Sequence, residues 1–187
     1  MKKLGLGLLM LMVSLGASAQ TATIAFNESS AQLGYGFLVG GSSYGRNELK
    51  VSFLYNNDEV YLVDTSFQVF DEVGSKSQGL TAGLGGKVYG ASLVDANREL
   101  FALAIGGMLR YSLPQVKRLV FGVDGYYAPP ITSFIDADRF FEVAGRIEFE
   151  MLPTASIYLE YHQITMKDGD VDLDLNEGAR FGLEMNF

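Results

Sequence analysis

Apolar and polar residues alternate one by one along most of this chain, most clearly over its last eleven residues, 177–187. One face of this stretch carries Ala179, Phe181, Leu183, Met185 and Phe187. The other face carries glycines together with Arg180, Glu184 and Asn186. Successive side chains of an extended chain point to opposite faces, so the pattern predicts a β-strand with one apolar and one polar side.

The same alternation recurs in segments of about ten residues that turn-forming residues separate, as in transmembrane barrels. Ten such segments can be counted, and the weakest covers residues 22–27. None of them follows the 3.6-residue period of a helix. The sequence therefore predicts an all-β fold, an antiparallel up-and-down transmembrane β-barrel of about ten strands. Eight strands are also possible if residues 22–27 are only a lead-in.

Residues 1–19 have the three parts of a secretory signal peptide: a basic start, a short apolar run and the small residues Ala17-Ser-Ala19. The apolar run is too short to span a bilayer, which takes roughly 20 residues. We expect cleavage after Ala19, which leaves residues 20–187 as one barrel domain. No apolar stretch long enough for a membrane helix follows, so a membrane-spanning form of this chain has to cross with strands.

A secreted β-sandwich would also alternate, and the distribution of aromatic residues favours the membrane barrel instead. If the ten segments run up and down, aromatic residues of the apolar face gather at two levels, as the two headgroup layers require. The predicted aromatic girdle at one rim consists of Tyr111, Phe149 and Phe187. At the other rim it consists of Tyr55, Tyr61, Phe101, Tyr127, Phe141 and Tyr161.

The opposite, inward face of the predicted strands is rich in charge and in glycine. The predicted lumen-lining charge network is Lys50, Lys87, Arg110, Asp124, Glu142, Arg146, Glu148, Glu160, His162, Arg180 and Glu184. Small barrels have interiors that side chains can fill, so paired charges predict a plug. Rings of charged side chains can also select ions, so a narrow wet passage stays open as the alternative.

The glycine-rich segments 83–90 (GLGGKVYG) and 104–107 (AIGG), the signal peptide and the strand ending at Phe187 resemble the YfaZ family. This is a family of outer-membrane proteins of Gram-negative bacteria that are described as porin-like. The resemblance covers most of the chain after the signal peptide. It implies a location in the cell outer membrane, and it brings no catalytic motif with it.

Other chemistry is disfavoured by spacing. Ser156, Glu160 and His162 share one strand face, but the serine and the histidine stand roughly 20 Å apart along a strand and cannot form a triad. The aspartates at positions 168, 170, 172 and 174 lack the central glycine and the late glutamate of a calcium-binding EF-hand loop. We therefore expect no enzyme activity, no cofactor and no specific metal site.

Composition limits the partners. With 14 basic and 22 acidic residues the chain has a net charge of −8, which argues against nucleic acid. The chain has no cysteine and hence no disulfide. Expected partners are outer-membrane lipid and lipopolysaccharide, and the barrel-assembly machinery through the C-terminal strand; we expect a monomer. The predicted function is a small porin-like channel for ions or small solutes. The alternative is a closed, plugged barrel with a structural or surface-binding role through loops 128–138 and 168–174.

Overall fold

The computed structural model describes residues 20–42, 45–74, 79–94, 97–135, 137–169 and 171–187. The predicted signal peptide, residues 1–19, lies outside these ranges. Alternating residues form long strands between short turns, as the pattern requires. The strands are β1 (Gln20–Phe26), β2 (Ser30–Ser42), β3 (Gly45–Asn56), β4 (Val60–Glu72), β5 (Leu80–Leu93), β6 (Arg98–Leu113), β7 (Val116–Ala128), β8 (Ser133–Ile135), β9 (Arg139–Leu152), β10 (Ala155–Asp168) and β11 (Val171–Asn186).

Ten of these strands form a closed antiparallel barrel. Each pairs with its neighbour in the chain, β7 pairs with β9, and β1 closes the ring by pairing with β11. The seam joins Thr21 to Asn186 and Phe26 to Phe181. Because β1 pairs with β2 on its other side, it is a wall strand, so the count is ten rather than eight. The remaining strand, β8, is a three-residue piece that pairs only with the start of β6.

The apolar face of the strands lies outside the barrel. Leu84 is 77% exposed and Ile105 is 73% exposed, and both lie on the outer wall. Closure leaves no unpaired strand edge along this wall, as a hydrocarbon environment demands. The described residues include no helix that is long and apolar enough to cross a membrane.

A β-bulge in β11 reverses the orientation of the side chains beyond it. The register between β10 and β11 shifts at Ile164/Thr165, and Leu175 and Asn176 are both buried. Below the bulge Phe181 faces outward, whereas above it Leu173 packs against the core and Asp174 is exposed. The acidic segment is thus a continuation of the strand, with its acids outside and its apolar residues inside.

A hydrophobic core fills the barrel at the end away from the two termini. Its members come from eight strands and from the segment before β9, and the largest of them are almost fully buried. These largest core residues are Tyr89, Phe140, Leu54, Leu62, Ile164, Met166 and Leu175. Nine of the ten wall strands have 12 to 16 residues, more than the roughly 9–11 needed to cross a bilayer, whereas β1 has seven. We call the end of the barrel that the apolar core fills the head.

Candidate functional site

A polar chamber occupies the other part of the barrel interior. Its volume is about 490 Å³, and its lining reaches from Thr21 and Asn186 at the terminal rim to Asp64 and His162. Tyr126 is the only described residue that belongs both to the chamber lining and to the hydrophobic core. The chamber therefore opens towards the termini and ends at the core.

The structure places every residue of the predicted charge network on the chamber wall. These residues are Lys50, Lys87, Arg110, Asp124, Glu142, Arg146, Glu148, Glu160, His162, Arg180 and Glu184. The predicted charge network did not include Arg46, Glu48 and Asp64, which line the chamber too. Glu48 lies beside the outward Leu49, and Asp64 lies beside the outward Val63, so the strand pattern alone could have identified both.

Six cations and seven carboxylates line the chamber, which gives a formal net charge of −1 with the histidine neutral. The cations are Arg46, Lys50, Lys87, Arg110, Arg146 and Arg180. Nearly balanced charge distinguishes this wall from a strongly basic or strongly acidic one.

Lys87 and Glu142 join opposite parts of the wall where the chamber meets the core. Lys87 Nζ lies 2.8 Å from Glu142 Oε2 and 3.4 Å from Asp64 Oδ1. Ser52 Oγ donates to Asp64 at 2.9 Å, and the Tyr89 hydroxyl donates to Glu142. Strands β6 and β7 separate β5 from β9, so this ion pair crosses the bore. Tyr89 connects the two zones, because its hydroxyl joins the network while its ring packs 4.2 Å from the ring of Phe140.

His162 belongs to the same network and has no serine partner. Its Nε2 lies 2.8 Å from Glu142 Oε1, and its Nδ1 accepts from Asn176 Nδ2 at 3.2 Å. With Nδ1 as the acceptor, the neutral ring donates from Nε2 to the carboxylate. Asn176 faces inward by the same alternation as Gly178 and Arg180 of β11, which lie opposite His162 and Glu160. The geometry is that of a buried structural histidine.

The other charges pair along the wall with neighbours one or two strands away. Arg110 Nη2 donates to both oxygens of Asp124, at 3.0 and 2.8 Å. Arg180 Nε donates to Glu160 Oε1 at 2.7 Å. The Arg110–Asp124 pair is diagonal, because Arg110 of β6 lies opposite Gly122 of β7 and Met108 lies opposite Asp124.

Arg146 is shared between two carboxylates. It lies 3.4 Å from Glu184 and 3.7 Å from Glu148, and its guanidinium stacks 5.4 Å from the ring centre of Tyr158. The tyrosine ring in turn lies flat over Gly182, where an added Cβ would come within 2.1 Å of its ring carbon. Paired cations held against the wall in this way leave the middle of the chamber free.

The glycines of segments 83–90 and 104–107 make room for another contact across the bore. Gln68 of β4 donates to the hydroxyl of Tyr126 on β7, passing over β5 and β6. A Cβ at Gly85 would lie 3.0 Å from Gln68 Cγ, and one at Gly106 would lie 2.6 Å from Tyr126 Cδ1. Any larger residue at these two positions would push the pair off the wall. The stretch is strand, as predicted, and its glycines serve packing rather than phosphate binding.

The predicted girdle residues lie on the outer wall, and all except Tyr161 lie close to strand ends. Tyr111, Phe149 and Phe187 lie towards the end with the termini. Tyr55, Tyr61, Phe101, Tyr127 and Phe141 lie towards the head, whereas Tyr161 lies midway along β10. Tyr55 and Tyr61 are cross-strand neighbours with ring centres 5.1 Å apart, and Tyr127 lies opposite Phe141.

The acidic hairpin carries its charges outside the head. Thr165 Oγ1 donates to Asp174 at 2.8 Å, and Lys167 lies 3.8 Å from the exposed Asp172. Position 170 lies outside the described residues. Among the residues that the structure does describe, no group of three or more histidine, aspartate or glutamate side chains is arranged to hold a metal ion.

A closed antiparallel barrel with an apolar outer wall, aromatic residues near both rims and a charged interior is an integral β-barrel of the bacterial outer membrane. The chain matches the family model described as YfaZ precursor over residues 1–187. It belongs to the YfaZ family, as the resemblance predicted. The family description as a precursor agrees with the predicted signal peptide.

Among solved structures, the chain is similar to a KdgM porin, with 11% identity and a TM-score of 0.46 over 90% of this chain and 99% of the porin. A KdgM porin in complex with disordered oligogalacturonate gives 12% identity and a TM-score of 0.48, with the same coverage. A bacterial polysaccharide outer membrane secretin gives 10% identity and a TM-score of 0.47, over 92% of this chain and 66% of the secretin. No curated protein matches the chain.

Proposed function

We propose that this protein is a small porin-like channel of the outer membrane, with the polar chamber as its conducting part and the hydrophobic core as its gate. The observation that carries the proposal is the chamber of about 490 Å³, which charged side chains line and which reaches the terminal rim. Ion pairs and glycines keep long side chains against the wall, so the chamber stays wide enough for hydrated ions and small polar solutes.

The gate follows from the apolar residues at the head. Phe140, Met166 and Leu62 are at most 1% exposed, and no charged residue belongs to this cluster. Hydrophobic constrictions stop ions by excluding water. The structure is then the closed state of the channel, and conduction requires the core to loosen or to be displaced.

A second candidate is a permanently closed barrel with a structural or surface-binding role. The continuity of the core favours it, because a core built from eight strands also stabilises the head. Neither candidate function involves catalysis, and the contacts of the buried histidine, a carboxylate and an amide, agree with a structural role for it. Chain composition and barrel closure support a monomer that contacts lipid and lipopolysaccharide.

The C-terminal strand supports recognition by the barrel-assembly machinery. Phe187 is exposed, and its backbone exchanges two hydrogen bonds with Gln20 at the seam, at 2.8 and 3.0 Å. These bonds form only when the barrel closes. Before closure, β11 therefore presents a free edge and an aromatic terminus for recognition.

Single-channel recording tests the channel proposal. The mature protein is refolded into a planar bilayer beside Met166→Ala, which removes bulk from the core, and Glu148→Lys, which reverses a charge on the chamber wall. We expect rare, brief openings in the parent protein, more frequent openings in Met166→Ala, and a shift of ion preference towards anions in Glu148→Lys. Glu28→Lys, the same charge change at an exposed turn outside the chamber, is the control and is expected to leave the preference unchanged.

Two results would contradict the proposal, and the first of them would favour the closed barrel. One is silence from the parent protein and from Met166→Ala when both are shown to be folded and inserted. The other is a shift of ion preference that is equally large in Glu28→Lys and Glu148→Lys, since that would come from surface charge and not from a path along the chamber.

A further inference from the structure

Between β7 and β8 the barrel wall contains three extra residues. Tyr127 lies opposite Ile105 of β6, and Phe134 lies opposite Phe101 of the same strand. Four steps along β6 therefore correspond to seven steps along the other chain segment. Pro129 and Pro130 explain the interruption, because proline has no N–H for the ladder. The excess forms a single 3₁₀ turn, Pro130–Thr132.

This turn protrudes on the outside of the barrel. At its level the interior is occupied by the core, in which Ala102, Ala128 and Phe140 have no exposed surface. Ile131, in contrast, is 83% exposed. A turn that interrupts the wall and leaves its central side chain exposed cannot point into that filled interior.

The protruding segment is apolar and continues the aromatic rim. Phe134 is 45% exposed, and its ring centre lies 6.0 Å from that of Phe101 on the outer wall. Ile135 follows with a φ of 71°, a left-handed conformation that is rare for a β-branched residue, and is 66% exposed. In a loop that faces only water, asparagine or glycine would adopt that conformation at lower cost.

We propose that residues 130–135 form a wedge that inserts into the outer leaflet of the membrane, at the boundary between headgroups and acyl chains. Continuity with Phe101 and the outer wall argues for lipid as the occupant, since the same surface already faces hydrocarbon immediately below. The segment predicted as a loop for surface binding is therefore a membrane contact. This proposal depends on the location in the membrane and not on channel activity.

The chain contains no tryptophan, so one introduced tryptophan reports on its own surroundings. The test uses full mature Ile131→Trp protein, refolded into vesicles of ordinary phospholipid or of phospholipid brominated near the top of the acyl chains. We expect brominated lipid to quench the tryptophan about as strongly as in Leu84→Trp, a control on the lipid-facing wall. We expect aqueous iodide to quench it far less than in Val171→Trp, a control at the tip of the β10–β11 hairpin.

Phe134→Trp repeats the measurement if Ile131→Trp fails to fold, with folding checked by resistance of the barrel to detergent on a gel. Strong quenching by iodide together with weak quenching by brominated lipid would overturn the proposal, because the wedge would then face water. Protection from both quenchers would overturn it too, since the segment would then be covered by protein. Quenching by brominated lipid that does not change when the protein is diluted in lipid supports it.

Discussion

The ion pair between Lys87 and Glu142 across the bore leads to a prediction about the stability of the barrel. Lys87 is 10% exposed, and it faces two carboxylates, Glu142 (9% exposed) and Asp64 (2% exposed). Lys87→Met keeps most of the side-chain volume but leaves both acids buried without their cation. Removing one partner of a buried pair typically costs 3–5 kcal/mol, because the remaining charge is uncompensated. We expect a loss of about 4 kcal/mol in the free energy of unfolding, within that range.

A matched control is available on the same protein. Lys167 lies 3.8 Å from Asp172, which is 66% exposed, so Lys167→Met removes a pair that water already screens. Such surface pairs contribute about 0–1 kcal/mol. Both variants and the parent protein are to be compared by equilibrium urea unfolding in lipid vesicles, with the barrel-to-unfolded transition followed by far-ultraviolet circular dichroism. Equal losses for the two variants would refute the reasoning, because Lys87 would then lie in an environment as hydrated as the surface.

Two further changes probe close packing and buried hydrogen bonds, and the same unfolding assay measures both. Gly182→Ala places a Cβ 2.1 Å from the ring of Tyr158 and should lower the free energy of unfolding by roughly 1–3 kcal/mol. Gly145→Ala is the control, since this glycine faces outward with no atom within 4 Å of an added Cβ, and it should change stability by less than about 0.5 kcal/mol. Equal effects of the two variants would contradict the close packing of the Tyr158 ring over Gly182. Asn56→Ala removes a 2.7 Å hydrogen bond that Asn56 donates to the carbonyl of Leu175 and two that it accepts from the backbone amides of Asp58 and Val60. It should lower the free energy of unfolding by roughly 1–3 kcal/mol. An unchanged unfolding midpoint would show that water replaces these bonds.

The sequence alone predicts the wall of the barrel, because the side chain of a wall residue can point only inward or outward. Period-two alternation predicts which side each residue takes, and Leu33, Phe53 and Leu159 are exposed on the outside as that rule requires. Strand count was open only at β1, the shortest wall strand. Its pairing with β11 depends on closure of the whole ring, which no local pattern contains.

The division of the barrel interior into a polar chamber and an apolar core was harder to predict from the sequence. Alternation predicts that Leu62 and Met166 point inward, but the predicted lumen lining contains only charged residues and a histidine. The signal was present: along β4 the inward positions change from Asp64 to Leu62, and along β10 from His162 to Ile164. Charge pairing alone therefore predicted a plug in the polar part of the barrel, whereas the structure has a chamber there and an apolar core beyond it.

Contacts that skip strands could not be predicted at all. Lys87 and Glu142 lie on strands separated by two others, and their distance depends on the diameter of the barrel and on the small residues between them. The same holds for Asn56 of β3, which bonds to the carbonyl of Leu175 of β11 across the short β1–β2 turn. Both contacts depend on the three-dimensional course of the ring and not on spacing along any one strand.

The bulge at Leu175 and Asn176 connects these observations. In the membrane, a strand must present apolar residues outward and can keep charges inside; above the membrane, water reverses the preference. One extra residue in β11 exchanges the two faces at that boundary, so that Phe181 meets lipid below while Asp174 meets water above. The extra residue is Leu175, which the bulge turns into the core beside Asn176, and Asn176 contacts His162. In this strand the change from polar chamber to apolar core therefore coincides with the exchange of faces, at the level where the outer surface changes from apolar to acidic residues.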